Sequence, residues 1–134
     1  MDRARVLLAD DNASFGAEIR GLLDAEFDVV GLVDTGEALE AAFAELLPQV
    51  VITDIAMPGA GGLVAVRRIR ERFPGTPAVL LTVIDAPLMI RLSLSSGALG
   101  YVIKEDAGEE LIPAVEAVLL GHEYLSAAAR RSIA

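Results

Sequence analysis

The amino-acid sequence predicts an α/β fold, a doubly wound parallel sheet of five strands with five helices. Short apolar runs alternate along the 134 residues with longer segments whose apolar residues recur at helical spacing. Continuous apolar runs are typical of strands that are buried on both faces, as parallel strands are. Five strand–helix units with short connections therefore predict one sheet with helices on both sides.

The predicted strands are apolar runs bounded by polar or turn residues. They cover residues 6–9, 27–33, 50–53, 78–81 and 101–103. A turn rich in proline and glycine, residues 74–77, leads into the fourth strand.

The predicted helices alternate with these strands and have recognisable ends. The first covers residues 13–25, and the second lies between Thr35, a candidate N-cap, and Pro48, which ends it. The third covers residues 63–72. The fourth covers residues 86–96, with Gly97 as its stop signal, and the fifth covers residues 109–120, with acidic residues in its first turn.

Three carboxylates follow two of the apolar runs. Asp10 and Asp11 come directly after the first run, and Asp54 comes directly after the third. Ligands of open parallel sheets bind beyond the carboxyl ends of the strands, so these side chains are expected to converge at one edge. Three like charges repel one another unless a cation neutralises them, and oxygen-only ligands suit a hard ion such as Mg2+. The sequence thus predicts an acidic metal pocket.

Two further runs end in groups of complementary chemistry, Thr82 after the fourth and Lys104 after the fifth. A hydroxyl donor and a fixed cation at the same edge are what the oxygens of a transferred phosphoryl group require. Asp54 stands alone at its strand end before a glycine-rich loop, whereas the Asp10-Asp11 pair is arranged to hold an ion. Asp54 is therefore the predicted nucleophile. Asp10 is also a candidate N-cap for the first helix.

These residues, in this order, resemble the response regulator receiver domain, the CheY-like phosphoacceptor module of two-component signalling. The resemblance extends over residues 6–120 and rests on Asp10-Asp11, Asp54 with its following loop, Thr82 and Lys104 after Gly100-Tyr-Val-Ile. The segments 97–101 and 121–126 look most like the NarL/FixJ (LuxR-type) branch, whose members carry a C-terminal helix-turn-helix domain. The resemblance implies a flavodoxin-like sheet with the strand order 2-1-3-4-5, the order found in flavodoxin and CheY.

The resemblance also implies residue roles. Asp54 is expected to accept a phosphoryl group from the phosphohistidine of a sensor histidine kinase, or from a small donor such as acetyl phosphate. Asp11, Asp54 and the backbone carbonyl of Ala56 are expected to coordinate Mg2+, with Asp10 acting through a bound water. Lys104 is expected to contact the phosphoryl group.

Thr82 and Tyr101 are the switch pair that the resemblance implies. Thr82 would hydrogen-bond a phosphoryl oxygen, and Tyr101 would turn inward into the space that Thr82 vacates. The alternative for Tyr101 is an ordinary half-buried aromatic residue of a strand.

Composition limits the class of protein. Apolar residues make up 54% of the chain, which predicts a folded domain, and the net charge of −9 argues against direct nucleic-acid binding by this chain. The absence of cysteine excludes disulfides and thiol chemistry. No apolar stretch is long enough to span a membrane and no signal peptide opens the chain, so the expected location is the cytoplasm.

We predict a receiver domain over residues 1–121 and a C-terminal tail, residues 122–134, as a candidate start of a linker to an output domain.

The predicted fourth helix has more apolar residues than one buried stripe uses: Leu88, Met89, Ile90, Leu92 and Leu94. This pattern favours a homodimer through the fourth helix, the fifth strand and the fifth helix, with scattered surface leucines as the alternative.

Two other functions stay open. One is a receiver that binds partners without phosphorylation. The other is a phosphatase of the haloacid dehalogenase type, which requires a second acid where this chain has Ala56.

Overall fold

The computed structural model describes residues 3–134, so the first two residues of the predicted domain lie outside the described part of the chain. The strands are β1 (Arg5–Ala9), β2 (Asp28–Val33), β3 (Val50–Thr53), β4 (Ala78–Thr82), β5 (Gly100–Ile103) and β6 (Tyr124–Leu125). The α-helices are α1 (Ala13–Leu23), α2 (Gly36–Leu46), α3 (Gly61–Arg72), α4 (Pro87–Ser95), α5 (Ala107–Leu119) and α6 (Ala127–Ile133). A short 3-10 turn, Lys104–Asp106, joins β5 to α5.

All strands are parallel and form one sheet in the order β2-β1-β3-β4-β5-β6. One apolar core lies between the sheet and the helices α1 and α5. The other lies between the opposite face and the helices α2, α3, α4 and α6. The predicted α/β class, the double winding and the order of the first five strands are therefore confirmed.

The expected number of elements is wrong, because the sheet has six strands and the described chain has six α-helices. The two additional elements lie within residues 122–134, where the sequence loses its apolar periodicity. β6 has only two residues, and its pairing with β5 depends on backbone hydrogen bonds from Tyr124 N to Leu99 O (2.9 Å) and from Ser126 N to Tyr101 O (3.0 Å). Backbone pairing of this kind leaves no periodic signature in so short a strand.

Helix ends follow the expected chemistry at several positions. Thr35 caps α2, since its hydroxyl oxygen accepts a hydrogen bond from Ala38 N at 3.0 Å. The proline of α4 occupies its first turn, where a missing N–H costs nothing. The N-cap of α1 is Asn12 and not Asp10, because the Asn12 side-chain oxygen accepts from Phe15 N at 3.0 Å.

None of the helices within residues 3–134 has the length and apolar character needed to cross a bilayer.

Candidate functional site

Parallel pairing of β1 with β3 places two of the predicted carboxylates side by side. Ala9 lies opposite Thr53 in the register of these strands, so that Asp10 and Asp54 leave the sheet at the same edge. Both residues still belong to the backbone ladder, since Asp54 N donates to Ala9 O at 3.0 Å and Asp10 N donates to Val33 O at 2.9 Å. The sheet thereby fixes where both side chains start.

Asp10, Asp11 and Asp54 form one acidic cluster. Each offers a carboxylate oxygen, and these three oxygens lie within 4.8 Å of one another. Asp10 and Asp54 are buried and Asp11 is exposed, so the cluster is open on the Asp11 side. Oxygen ligands at this spacing suit a hard divalent cation, because Mg2+ and Ca2+ prefer carboxylate and carbonyl oxygens. The cluster could therefore hold such an ion.

Lys104, the only lysine of the chain, bridges two carboxylates of this cluster. Its Nζ lies 2.9 Å from Asp10 Oδ2 and 2.8 Å from Asp54 Oδ2. Burial disfavours the charged ammonium, but hydrogen bonds to Asp54 and Asp10 and their charges outweigh burial and raise the pKa of Lys104 above its ordinary value. A fixed positive charge consequently faces one oxygen of each buried carboxylate.

Backbone amides hold the other oxygen of each buried carboxylate. Asp10 Oδ1 accepts from Asn12 N at 2.8 Å, and Asp54 Oδ1 accepts from Ala56 N at 3.2 Å. Each carboxylate is thus held by the turn that follows its own strand on one oxygen and by Lys104 on the other. The methyl group of Ala56 is exposed beside this turn and provides no acid.

Thr82 and Tyr101 meet at the loop between β4 and α4. Both are fully buried, so Tyr101 is not the half-buried strand aromatic of the alternative interpretation. The Tyr101 hydroxyl donates to the carbonyl oxygen of Ile84 at 2.7 Å, and Thr82 Oγ1 accepts from Ile84 N at 3.3 Å. Burial, followed by the charges of Asp54 and Asp85, raises the pKa of Tyr101 above its ordinary value, so the phenol is neutral. The backbone of Ile84 links the two side chains.

The sequence interpretation missed two residues of the site. Asn12 was not expected as the N-cap of α1, although its position before the apolar stripe is a known helix-start signal. Phe15 is one of the apolar residues of the first predicted helix, which indicates packing and no role at the site, but its ring centroid lies 4.4 Å from Lys104 Nζ. That contact joins α1 to the end of β5 and has no signal in the local sequence pattern.

The apolar residues of α4 divide into two groups. Ile90 is fully buried, and Met89 and Leu94 are partly buried against the core on that face of the sheet. Leu88 and Leu92 remain exposed, at 78% and 47%. Of the five apolar residues named for the predicted fourth helix, only Leu88 and Leu92 are exposed enough to pack against another molecule.

Comparison with known proteins agrees with this geometry. Residues 6–116 match the response regulator receiver domain family. The chain is 38% identical over 125 residues to the response regulator GacA of Pseudomonas aeruginosa, covering 91% of this chain and 58% of GacA. It is 34% identical over 124 residues to the oxygen regulatory protein NreC of Staphylococcus epidermidis, covering 90% of this chain and 57% of NreC. The chain thus spans less than two thirds of the length of these relatives.

Solved structures give the same result. A LuxR-family two-component response regulator from Aurantimonas sp. SI85-9A1 superposes with a TM-score of 0.94 at 28% identity, covering 98% of this chain and 96% of that one. The isolated REC domain of RcsB from Salmonella enterica serovar Typhimurium, determined in the presence of phosphomimetic BeF3-, has a TM-score of 0.90 at 27% identity, covering 99% and 100%. The family match over most of the chain, together with these neighbours, shows that the chain belongs to the receiver domains of two-component response regulators, of the NarL/LuxR type.

Proposed function

We propose that this receiver accepts a phosphoryl group on Asp54, with Mg2+ bound at the acidic cluster, and thereby switches a transcriptional output. The observation that supports this proposal is the placement of Lys104 Nζ within 2.9 Å of two carboxylates of a three-aspartate cluster. A nucleophilic carboxylate, a site for a divalent cation and a fixed ammonium are together what phosphoryl transfer requires.

In the proposed reaction, a carboxylate oxygen of Asp54 forms a bond to phosphorus. The bond from phosphorus to the donor breaks, and its electron pair leaves with a histidine nitrogen of a sensor kinase or with an oxygen of acetate. Lys104 exchanges one carboxylate contact for an oxygen of the arriving phosphoryl group. The ammonium then offsets the negative charge that develops there.

The residues present fit the proposed metal. Asp11 and Asp54 would hold Mg2+ together with the backbone carbonyl of Ala56, and Asp10 would act through a water molecule. Three carboxylates within 4.8 Å supply hard oxygen ligands and a local negative charge for a divalent cation to balance. The chemistry supplied by bound Mg2+ would be neutralisation of the negative charge on the phosphoryl oxygens.

Thr82 and Tyr101 are the proposed switch residues. Thr82 would turn its hydroxyl toward a phosphoryl oxygen, and rotation of the side chain would change the hydrogen bond that it accepts from Ile84 N (3.3 Å). Since the Tyr101 hydroxyl binds the carbonyl of the same residue at 2.7 Å, movement of Ile84 would be transmitted to Tyr101. Two states of this loop, biased by phosphate, would then constitute the switch.

The proposed partners are those that membership in the response regulator family implies. A sensor histidine kinase in the cytoplasm would supply the phosphoryl group, and a helix-turn-helix domain would bind DNA. We propose that the phosphoacceptor machinery lies within residues 1–121, and that the segment 122–134, which adds β6 and α6 to the same sheet and core, leads towards that output domain. The net charge of −9 supports a division in which this chain itself does not bind nucleic acid.

The proposed homodimer would use the exposed side of α4 with Leu88 and Leu92, and Val83 in the loop before α4 is also exposed, at 71%. The edge of β5 is paired with β6 at Gly100 and Tyr101, so the backbone of β5 is not available to the dimer at these two residues. The contribution of α5 is not limited by this pairing. Light scattering with and without beryllofluoride tests the proposal on the parent and on the double variant Leu88→Glu, Leu92→Glu. A parent that stays monomeric in both conditions would rule out this dimer.

The experiment for the central proposal is intact mass spectrometry after incubation with acetyl phosphate and Mg2+. A single phosphate adduct is expected on the parent, no adduct on Asp54→Asn, and none on the parent when EDTA is present. An unmodified parent that also fails to bind beryllofluoride would contradict the proposal. That result would favour the receiver that binds partners without phosphorylation.

A further inference from the structure

The ring of Phe15 lies against the ammonium of Lys104, with 4.4 Å between the ring centroid and Nζ. Phe15 belongs to the first turn of α1, is half-buried, and packs against the core between the sheet and α1 and α5. A cation within about 6 Å of an aromatic face is attracted by the ring quadrupole. The position of the ring is thus fixed by packing, and the ring offers Lys104 a contact that is not a carboxylate.

Such a contact matters because Lys104 has to exchange ligands during the proposed reaction, on which this inference rests. One of its two carboxylate contacts is to Asp54 Oδ2, an oxygen of the proposed nucleophile. A divalent cation at the cluster would repel the ammonium, and an arriving phosphoryl group would compete with the carboxylates for it. During that exchange a flexible lysine side chain needs another contact to stay in place.

We propose that Phe15 is a positioning residue for Lys104. Its ring retains the ammonium beside the acidic cluster while Asp54 releases it and the phosphoryl oxygens take it up. An aliphatic residue would pack equally well against the core but would not attract the cation.

The surroundings of Lys104 explain why retention is needed. Glu18 lies one turn after Phe15 on α1 and lines the same shallow groove between α1 and α5, and Glu105 follows Lys104 in the chain. Both carboxylates are exposed and could draw the ammonium outward. Phe15 and Lys104 line this groove together, and the ring contacts Nζ in the position where Nζ also meets Asp10 and Asp54, so its contact favours that inward position.

A spectroscopic test does not depend on phosphorylation. Because the chain has one lysine, labelling with isotopic lysine gives signals from Lys104 alone. We expect its side-chain methylene protons nearest the ammonium to be shifted upfield by the ring in the parent and in Phe15→Tyr. In Phe15→Leu they should move to the position of a free lysine. Identical shifts in the parent and in Phe15→Leu would overturn the proposal.

The kinetic test uses acetyl phosphate, so that no kinase surface is involved. With Mg2+ present, Phe15→Leu should slow formation of the phosphate adduct three- to tenfold, whereas Phe15→Tyr should stay within twofold of the parent. In a Lys104→Met background the Phe15→Leu change should have no further effect. Leu22→Val, in the same groove, is the matched control and should keep the parental rate.

The outcomes separate this inference from the proposed function. A parent that takes no phosphoryl group from acetyl phosphate and does not bind beryllofluoride would overturn both. A parent that is phosphorylated, with Phe15→Leu at the parental rate or Phe15→Tyr as slow as Phe15→Leu, would overturn the inference alone. An equal slowing by Phe15→Leu in the Lys104→Met background would assign the effect to packing of α1 and also overturn it. Circular dichroism of each variant checks that α1 is folded.

Discussion

At the scale of single residues, both the side chain and the backbone carbonyl of Asp54 are closely surrounded by other atoms. Thr53 Oγ1 donates to the Asp54 carbonyl oxygen at 2.9 Å, and Gly62 in the first turn of α3 lies against the same oxygen. A Cβ atom built on Gly62 would lie 1.7 Å from the Asp54 carbonyl oxygen and 2.7 Å from Thr53 Oγ1. Position 62 therefore has room only for a hydrogen atom, because any side chain there would displace the proposed nucleophile or α3.

The replacement Gly62→Ala tests this close approach. We expect a loss of roughly 1–3 kcal/mol or more in the free energy of unfolding, since overpacking a rigid site forces backbone shifts. Adduct formation with acetyl phosphate should also slow, because Asp54 would move relative to Lys104. Urea unfolding followed by circular dichroism gives the first quantity.

Gly21→Ala is the matched control for that variant. Gly21 is exposed in α1, and a Cβ there would meet nothing within 4 Å. Alanine at this position should raise the free energy of unfolding by about 0.5–1 kcal/mol, since glycine is unfavourable inside a helix. A Gly62→Ala variant as stable as the parent would show that α3 can shift without cost.

At the scale of elements, periodicity predicted the longer helices and strands to within a few residues, but it missed β6 and α6. The N-terminal amides of α6 are satisfied by carboxylates distant in the sequence. Glu110 accepts from Ala127 N at 2.8 Å, and Asp106 accepts from Ala128 N at 2.9 Å. The side chain of the preceding Ser126 accepts from Ile103 N at 3.1 Å instead of capping α6. Tertiary capping of this kind cannot be seen in a local pattern.

Glu110→Ala should loosen the segment that contains β6 and α6. Glu110 also accepts from the Tyr124 hydroxyl at 2.9 Å, and burial together with this hydrogen bond and the Glu110 charge raises the pKa of Tyr124 above its ordinary value. Because the Tyr124 pKa is higher in the folded state than in the unfolded state, its contribution to the free energy of unfolding is fully present below about pH 10, the ordinary pKa of tyrosine. This contribution is lost as the pH rises through the pKa of the folded state. The variant should therefore lower the Tyr124 pKa and reduce this alkaline loss of stability.

Absorbance of tyrosine phenolate against pH measures that change, and amide exchange of α6 measures the loosening. The chain has two tyrosines, and the pKa of the fully buried Tyr101 is raised more strongly than that of the partly buried Tyr124, so the first titration step should belong to Tyr124. Glu109→Ala, an exposed neighbour, is the control and should titrate like the parent. An unchanged titration with unchanged α6 protection in Glu110→Ala would contradict the assigned role of Glu110.

At the scale of the whole molecule, the site forms because parallel strands deliver their carboxyl ends to one edge. That rule alone predicted that Asp10, Asp11 and Asp54 would converge, and the structure brings them within 4.8 Å. Strand order had to come from family resemblance, since periodicity does not determine which strands are neighbours. The bridging of two aspartates by Lys104 and its contact with Phe15 depend on the side-chain conformation of Lys104 and on where α1 packs, which local sequence patterns do not determine.

The concentration of negative charge at this edge predicts that Mg2+ stabilises the folded chain. A ligand that binds only the folded state at ten times its Kd adds about 1.4 kcal/mol, which for a domain of this size raises Tm by about 4–6 °C. Asp11→Asn removes one ligand and one repelling charge, so it should lose most of the Mg2+ effect and be at least as stable as the parent without Mg2+. Thermal unfolding at constant ionic strength separates binding from general screening of the net charge of −9. An equal shift in both proteins would assign the effect to screening and leave the acidic cluster without a specific ion.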